Sequence, residues 1–402
     1  MYTKDEVMQY ILEDDVKFIR LAFCDAYGCQ KNISVMPCEL ERAFSAGIGI
    51  DASAVTGFGG EVYSDLFLHP DPSTLTVLPW RPEHGRVVRM FCSVKYPDGR
   101  DFEADSRHIL KEAARLALSK GYMFSFGSEL EFYLFKTDEA GNPTKIPFDS
   151  AHYMDIAPMD KGENVRREIC LTLERMGITP ESSHHEEGPG QNEIDFRFAD
   201  PLTAADNAVT FLSVVRTIAA RNGLFADFSP KPLENRPGNS FHINMSIRGT
   251  NGEYDLLPYA ISGILSRIGE MTAFFNPSEN SYQRLGSFKA PKYVSWSPEN
   301  RSQLIRVPAA DGEYRRIELR SPDPGANPYI AYSLMIYAAL EGIESRELPC
   351  EPSNVNLYAI STDEDKHRKK LPATLREARS LASASDFIKN ILPKTIIDTY
   401  CE

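Results

Sequence analysis

The run Gly127-Ser128-Glu129-Leu130-Glu131-Phe132-Tyr133-Leu134-Phe135 sets two carboxylates into an otherwise apolar stretch. Residues two apart on an extended chain share a face, so Glu129 and Glu131 project together, roughly 6–7 Å apart. Like charges at that spacing repel, and burying them unpaired costs several kcal/mol. A solvated strand face would relieve them, and so would a divalent cation. Removing one of a repelling pair should leave metal-free stability unchanged or raised. Further donors lie downstream. In His184-His185-Glu186-Glu187-Gly188-Pro189-Gly190-Gln191-Asn192-Glu193 the glycine-proline turn can fold Glu186 and Glu193 towards one point. His242 sits in His242-Ile243-Asn244-Met245-Ser246 and Glu318 in Arg316-Ile317-Glu318-Leu319-Arg320. Five glutamates with one histidine suit Mg²⁺ or Mn²⁺ better than zinc.

A second collection is cationic: Arg284, Arg301, Arg306, Arg316 and Arg320. The guanidinium fork pairs bidentately with carboxylate and phosphate, with surface ion pairs as the plainer alternative. Carboxylates for metal beside arginines for phosphate together describe a phosphoryl-transfer site. Neither a Gly-x-x-x-x-Gly-Lys loop nor a Gly-x-Gly-x-x-Gly fingerprint occurs, so a nucleotide would be held differently.

These residues need strands to carry them. Residues 123–135, 191–198 and 242–247 read as strands, and 105–120, 164–176, 204–222, 258–274 and 328–344 as helices. Before residue 103 the texture differs: short strands such as 18–23 and 87–94, separated by turn signals such as Pro97-Asp98-Gly99. The reading is therefore an α+β chain of two domains, 1–102 and 103–402. With 42% hydrophobic and 25% charged residues it has the composition of an ordinary globular protein. Acidic residues outnumber basic ones 57 to 44, a net charge of −13, the wrong sign for nucleic acid or an anionic membrane. The start of the chain lacks an apolar signal core. The longest apolar run, near 329–340, is too short for a bilayer. Seven scattered cysteines fit neither a disulfide framework nor a zinc site, and read as reduced thiols in a cytoplasmic protein.

From about Val16 to Leu381 the chain resembles the glutamine synthetase family of the bacterial type I kind. The resemblance rests on Glu129-x-Glu131-Phe132-x-Leu134-Phe135, on His184-His185-Glu186 followed by Gly190-Gln191-Asn192-Glu193-Ile194, and on Pro230-Lys231-Pro232. It continues through Asn280-Ser281-Tyr282-x-Arg284-Leu285, Asn300-Arg301-Ser302-x-x-Ile305-Arg306-x-Pro308, and Arg316-Ile317-Glu318-x-Arg320-Ser321-Pro322-Asp323-Pro324. It implies an N-terminal β-grasp-like domain and a C-terminal catalytic domain with a curved antiparallel sheet. It also implies two or three Mg²⁺ or Mn²⁺ ions per site, one on Glu131, Glu186 and Glu193, another on Glu129, His242 and Glu318. Arg284, Arg320 and the Gly238 loop would hold glutamate, and Arg301 and Arg306 the migrating phosphoryl group. Glu181, Phe198, Ser246 and Arg316 match positions around ATP. Asp51 would reach a neighbouring subunit's site in a homo-oligomeric ring.

Four departures from the family bear on function. The flap, which in the family carries a glutamate before Ala-Pro, reads Arg284-Leu285-Gly286-Ser287-Phe288-Lys289-Ala290-Pro291, one residue shorter with Lys289 in the acidic position. An inward lysine would repel ammonium by ~4 kcal/mol at ~4 Å and an effective dielectric of ~20. The Asp-Gly-Ser-Ser loop reads Asp51-Ala52-Ser53-Ala54, and Asn-Gly-Ser-Gly-Met-His reads Pro237-Gly238-Asn239-Ser240-Phe241-His242. The chain ends at Glu402, short of the family tail that straps two rings, so a hexamer or smaller ring is expected rather than a dodecamer. Tyr358, where some relatives are adenylylated, reads as an ordinary exposed tyrosine. Three functions follow: an ATP-dependent ligase joining glutamate to an organic amine, favoured by the flap; glutamine synthetase proper, using ammonia; and a non-catalytic binding protein.

Overall fold

The strands Val16–Cys24 and Arg86–Lys95 pair in parallel at the centre of a first sheet, ordered 30–35, 16–24, 86–95, 65–70, 48–51. Thr76–Val77 also pairs with Arg86–Lys95. The computed structural model describes residues 2–402 apart from 61, 63, 82, 251, 253, 254 and 361. Both strands expected here are present and extend slightly further at each end. The helix Lys4–Glu13 was not expected. Only Val7 and Ile11 are buried in it, too few for a periodicity argument. Its signal is the cap: the Thr3 hydroxyl accepts from the Glu6 N–H while the Glu6 carboxylate accepts from the Thr3 N–H.

The second sheet carries the candidate chemistry. Its order is 296–298, 305–307, 317–319, 241–249, 122–137, 191–199, 180–185, with 224–227 and 143–147 also paired to Tyr122–Thr137. Every pairing is antiparallel except Trp296–Pro298 with Ile305–Val307. The side-chain period of two separates the faces of the central strand. Phe126, Leu130, Phe132 and Leu134 are buried in the hydrophobic core, as are Ile194 and Phe196 on one neighbour and Phe241, Ile243 and Met245 on the other. Glu129, Glu131, Glu193, Asp195, His242, Asn244 and Ser246 occupy the alternate positions, on the opposite face.

Helices Ser106–Ser119, Pro201–Arg221, Leu257–Phe275 and Pro328–Ser345 pack behind the apolar face. The last two approach so closely that a Cβ on Gly263 would lie 2.0 Å from the Ala338 carbonyl oxygen. Pro328–Ser345 is buried almost all round, which explains the longest apolar run as a core helix. Among the described residues no helix is long and apolar enough to cross a membrane. Arg107 ties two of these helices to the end of the strand Asp65–Pro70, donating to both carboxylate oxygens of Asp206 (3.0 Å each) and to Asp71 (2.9 Å). Asp206 also accepts from the Tyr329 hydroxyl at 2.7 Å.

Candidate active site

Register brings the acids together. On the central strand Glu131 lies opposite Glu193, and Glu129 lies between Asp195 on one neighbour and His242 on the other. Asn244 is opposite Glu318 one strand further out. Glu129, His242 and Glu318 offer ligand atoms within 4.8 Å of one another, as do His184, Glu186 and Glu193, and also Glu129, Glu193 and Asp195. The second expected set therefore converges. In the first, Glu131 shares the cavity wall with Glu186 and Glu193, but its Oε2 accepts from the Ser240 N–H (2.8 Å) and from Gln191 (3.2 Å), and His184 completes the converging group. The sequence pattern offered His184 as a donor without assigning it to a ligand set, and left Asp195 out altogether. The two-residue spacing that paired Glu129 with Glu131 applies equally to Glu193 and Asp195.

The electrostatics divide the acids into two kinds. Burial, then the Glu131 charge, push Glu186 up to about 8. Burial and then the Glu129 charge raise Asp195 to about 7, and burial with the surrounding acids holds Glu193 well above the carboxylate range. These groups cannot all ionise without a cation. Glu129 is the other kind. Burial opposes its charge, but a hydrogen bond from His242 (3.3 Å) and one from Asn244 (2.8 Å) hold it down to about 2. Glu129 is thus a supported carboxylate, and its removal leaves partners unsatisfied, contrary to the simple repulsion argument. A cluster of oxygen donors with several suppressed charges is a fit for a hard divalent cation.

A third convergence, Asp149, Asp160 and His185, is satisfied internally. Arg166 grips Asp160 (2.5 and 3.2 Å) and donates to Asn192 (2.6 Å). His185 is fully buried, with Nε2 2.9 Å from Asp149 and Nδ1 donating to the Glu186 carbonyl at 2.6 Å. Burial opposes protonation, but the Asp149 carboxylate wins and raises this imidazole. Asp149 also accepts from the Gly190 N–H (2.9 Å), so it closes both ends of the loop that carries Glu186.

The arginines converge on the same cavity, of about 420 Å³. Arg306 donates to Glu318 at 2.6 Å and Arg320 to the other oxygen of that carboxylate at 3.0 Å. Arg284 is buried, donating to the Ser321 carbonyl (2.7 Å) and the Ser240 hydroxyl (2.8 Å), while its Nε has no partner among the described residues. Arg301 lines the rim. Gly238 lies against Arg284, and a Cβ there would come within 2.3 Å of the Pro230 carbonyl oxygen. Glu181, Phe198, Ser246 and Arg316 line an adjoining cavity that shares Glu129, Asp195 and Arg316 with the first. Tyr314, not foreseen, stands edge-on to Phe198 there. Asp51 lines neither cavity; it ends the strand Ile48–Asp51, and its carboxylate accepts from the Ser53 N–H and hydroxyl.

The flap also differs from expectation. Lys289 forms an ion pair with Glu187 and does not present an isolated charge to the cavity. Tyr358 is more than an exposed ring: its hydroxyl lies 2.7 Å from the Lys289 carbonyl and 2.6 Å from that of Arg301.

Comparison with known proteins agrees with this geometry. The family model "Glutamine synthetase, catalytic domain" matches residues 103–402, and "Glutamine synthetase, beta-Grasp domain" matches 15–97. A glutamine synthetase of Methanosarcina mazei is 45% identical over 99% of this chain and 92% of its own length. One from Clostridium saccharobutylicum is 41% identical, over 99% and 93%. A solved GmaS/ADP complex has a TM-score of 0.89 at 26% identity, covering 98% of this chain and 94% of that one. Plasmodium falciparum glutamine synthetase gives 0.87 at 22% identity over 100% and 95%, a likeness of fold. With both family models matched and such identity along nearly its full length, the chain belongs to the glutamine synthetase family of ATP-dependent carbon–nitrogen ligases.

Proposed function

We propose that this chain phosphorylates the γ-carboxylate of L-glutamate with ATP and lets ammonia displace phosphate from the resulting acyl phosphate, giving L-glutamine. The observation that carries the reading is one sheet face on which carboxylates and arginines meet in a single cavity, joined to a second cavity of aromatic and polar side chains. Glu131, Glu186 and Glu193 would hold one Mg²⁺ or Mn²⁺, and Glu129, His242 and Glu318 another. Bound there, the cations supply positive charge against the phosphoryl oxygens. The chain's own residues do the rest. Arg284 and Arg320 bind the glutamate carboxylates beside Gly238. Arg301 and Arg306 face the transferring phosphoryl group and oppose the charge developing on it. Glu181, Phe198, Ser246 and Arg316 hold the nucleotide. Asp51, which lines neither cavity of its own chain, acts across a subunit boundary in a homo-oligomeric ring. The chain divides into two domains near residue 103 and works in the cytoplasm.

The nucleophile turns on Lys289. Its pairing with Glu187 cancels most of the field that would repel ammonium, and this favours ammonia. A second reading keeps an organic amine as nucleophile, since no carboxylate stands in the flap itself. A non-catalytic role is the weakest of the three, because the full donor set is retained. Phosphate release and amide formation with ATP, Mg²⁺ or Mn²⁺, glutamate and a panel of ammonium and primary amines test the proposal. Glutamine as the main product supports it; a γ-glutamyl amide formed far faster selects the second reading.

A further inference from the structure

Lys289 is held from two sides. Its ammonium pairs with Glu187, one residue beyond Glu186, and sits 5.9 Å from the Tyr153 ring. The Glu187 N–H in turn donates to Glu186 at 3.0 Å, so Glu187 is fixed to the metal-side loop. On the other side, the Lys289 carbonyl meets the Tyr358 hydroxyl. That hydroxyl has one proton, shared between the Lys289 and Arg301 carbonyls, and it accepts from Arg320 at 3.3 Å. The preceding residue, Phe288, has φ of +50°, a left-handed conformation that a side-chain-bearing residue keeps only when its surroundings impose it. Free of these two contacts, the segment has reason to relax away from the cavity.

We infer that Lys289, Glu187 and Tyr358 form a clasp that keeps the flap 286–291 closed over the reacting acyl phosphate and excludes water from it. The clasp rests on the reading of this cavity as the ligase site. Its three members are positioning residues. What the clasp prevents can be written in balance. A water oxygen bonds to the γ-carbonyl carbon, the bond from that carbon to the phosphate oxygen breaks, phosphate leaves, and glutamate is regenerated. ATP is spent with no amide made.

The test measures phosphate released per amide formed, with deuterium uptake of the flap peptide as a second readout independent of catalysis. Glu187→Gln and Lys289→Gln should each raise the phosphate-to-amide ratio and the flap uptake roughly 2- to 5-fold, the range an exposed ion pair supplies. The exchanged pair, Glu187→Lys with Lys289→Glu, should restore both, and the phosphate-to-amide ratio is the readout that a merely structural ion pair would not move. Tyr358→Phe should loosen the flap with the ion pair intact. Unchanged uptake and unchanged ratio in both single variants overturn the clasp, as does failure of the exchanged pair to restore either. If the wild type makes no amide, the ligase reading fails, while the uptake measurement still judges the clasp.

Discussion

Replacing Glu186 by Gln should stabilise the protein when metal is stripped from it, and only at higher pH. Glu186 lies at about 8 in the fold against an ordinary 4.5, because burial and the Glu131 charge disfavour its ionised form. A carboxylate raised on folding adds stability below its unfolded value and loses it as pH climbs through the folded value. At pH 7.5 a gap of that size corresponds to a ceiling of about 4 kcal/mol, at 1.36 kcal/mol per unit. The charge is shared with coupled neighbours, so about 2 kcal/mol is the working figure. For a chain of 402 residues that is about 2–3 °C in melting temperature. The assay is thermal unfolding in chelator at pH 5, 6.5 and 8, for wild type and Glu186→Gln. The variant should melt higher at pH 8, and the difference should shrink to about 0.5 °C near pH 5. Added Mn²⁺ at 100 times its dissociation constant should lift the wild type by about 2.7 kcal/mol and reverse the order. A metal-free variant that is less stable than wild type at pH 8 would refute the account of a strained carboxylate cluster.

Other consequences are sharper in sign than in size. Glu129→Ala should destabilise the metal-free protein by about 1–3 kcal/mol in urea unfolding, since His242 and the Asn244 amide N–H each lose an acceptor. The opposite signs at Glu129 and Glu186 distinguish a supported acid from a strained one. His185→Asn should weaken Mn²⁺ binding about 10- to 100-fold by calorimetry, because the loop carrying Glu186 loses its tie to Asp149. Asp206→Ala should cost about 3–5 kcal/mol of stability, leaving the buried Arg107 with Asp71 alone and the Tyr329 hydroxyl without its acceptor.

Much of this molecule is legible in its sequence, and the limits follow from physics. Strand periodicity put Glu129 and Glu131 on one face, amphipathic spacing located the helix Ser106–Ser119, and helical stretches read from the sequence located Glu163–Arg175, Pro201–Arg221, Leu257–Phe275 and Pro328–Ser345 within a few residues. Local pattern cannot report register. That Glu129 faces His242 across one strand pair and Asp195 across another is decided by turns and core packing well away in the chain. The same holds for Lys289, whose partner Glu187 is 102 positions distant. The sign of its effect on ammonium therefore could not be read from the flap alone. His185 illustrates a third limit. Its neighbours in sequence suggest a ligand, yet its ring is consumed by Asp149 and the Glu186 backbone, a distinction visible only once the loop is folded.

The most direct test of the central claim is a coupled measurement on the wild-type chain: phosphate released and amide formed from ATP and L-glutamate, with and without ammonium, in Mn²⁺ and in chelator. Phosphate and glutamine should appear together in near-equal amounts, both should depend on metal, and both should vanish in Glu193→Gln. Phosphate release that needs no glutamate, or that persists in chelator, would contradict the central claim.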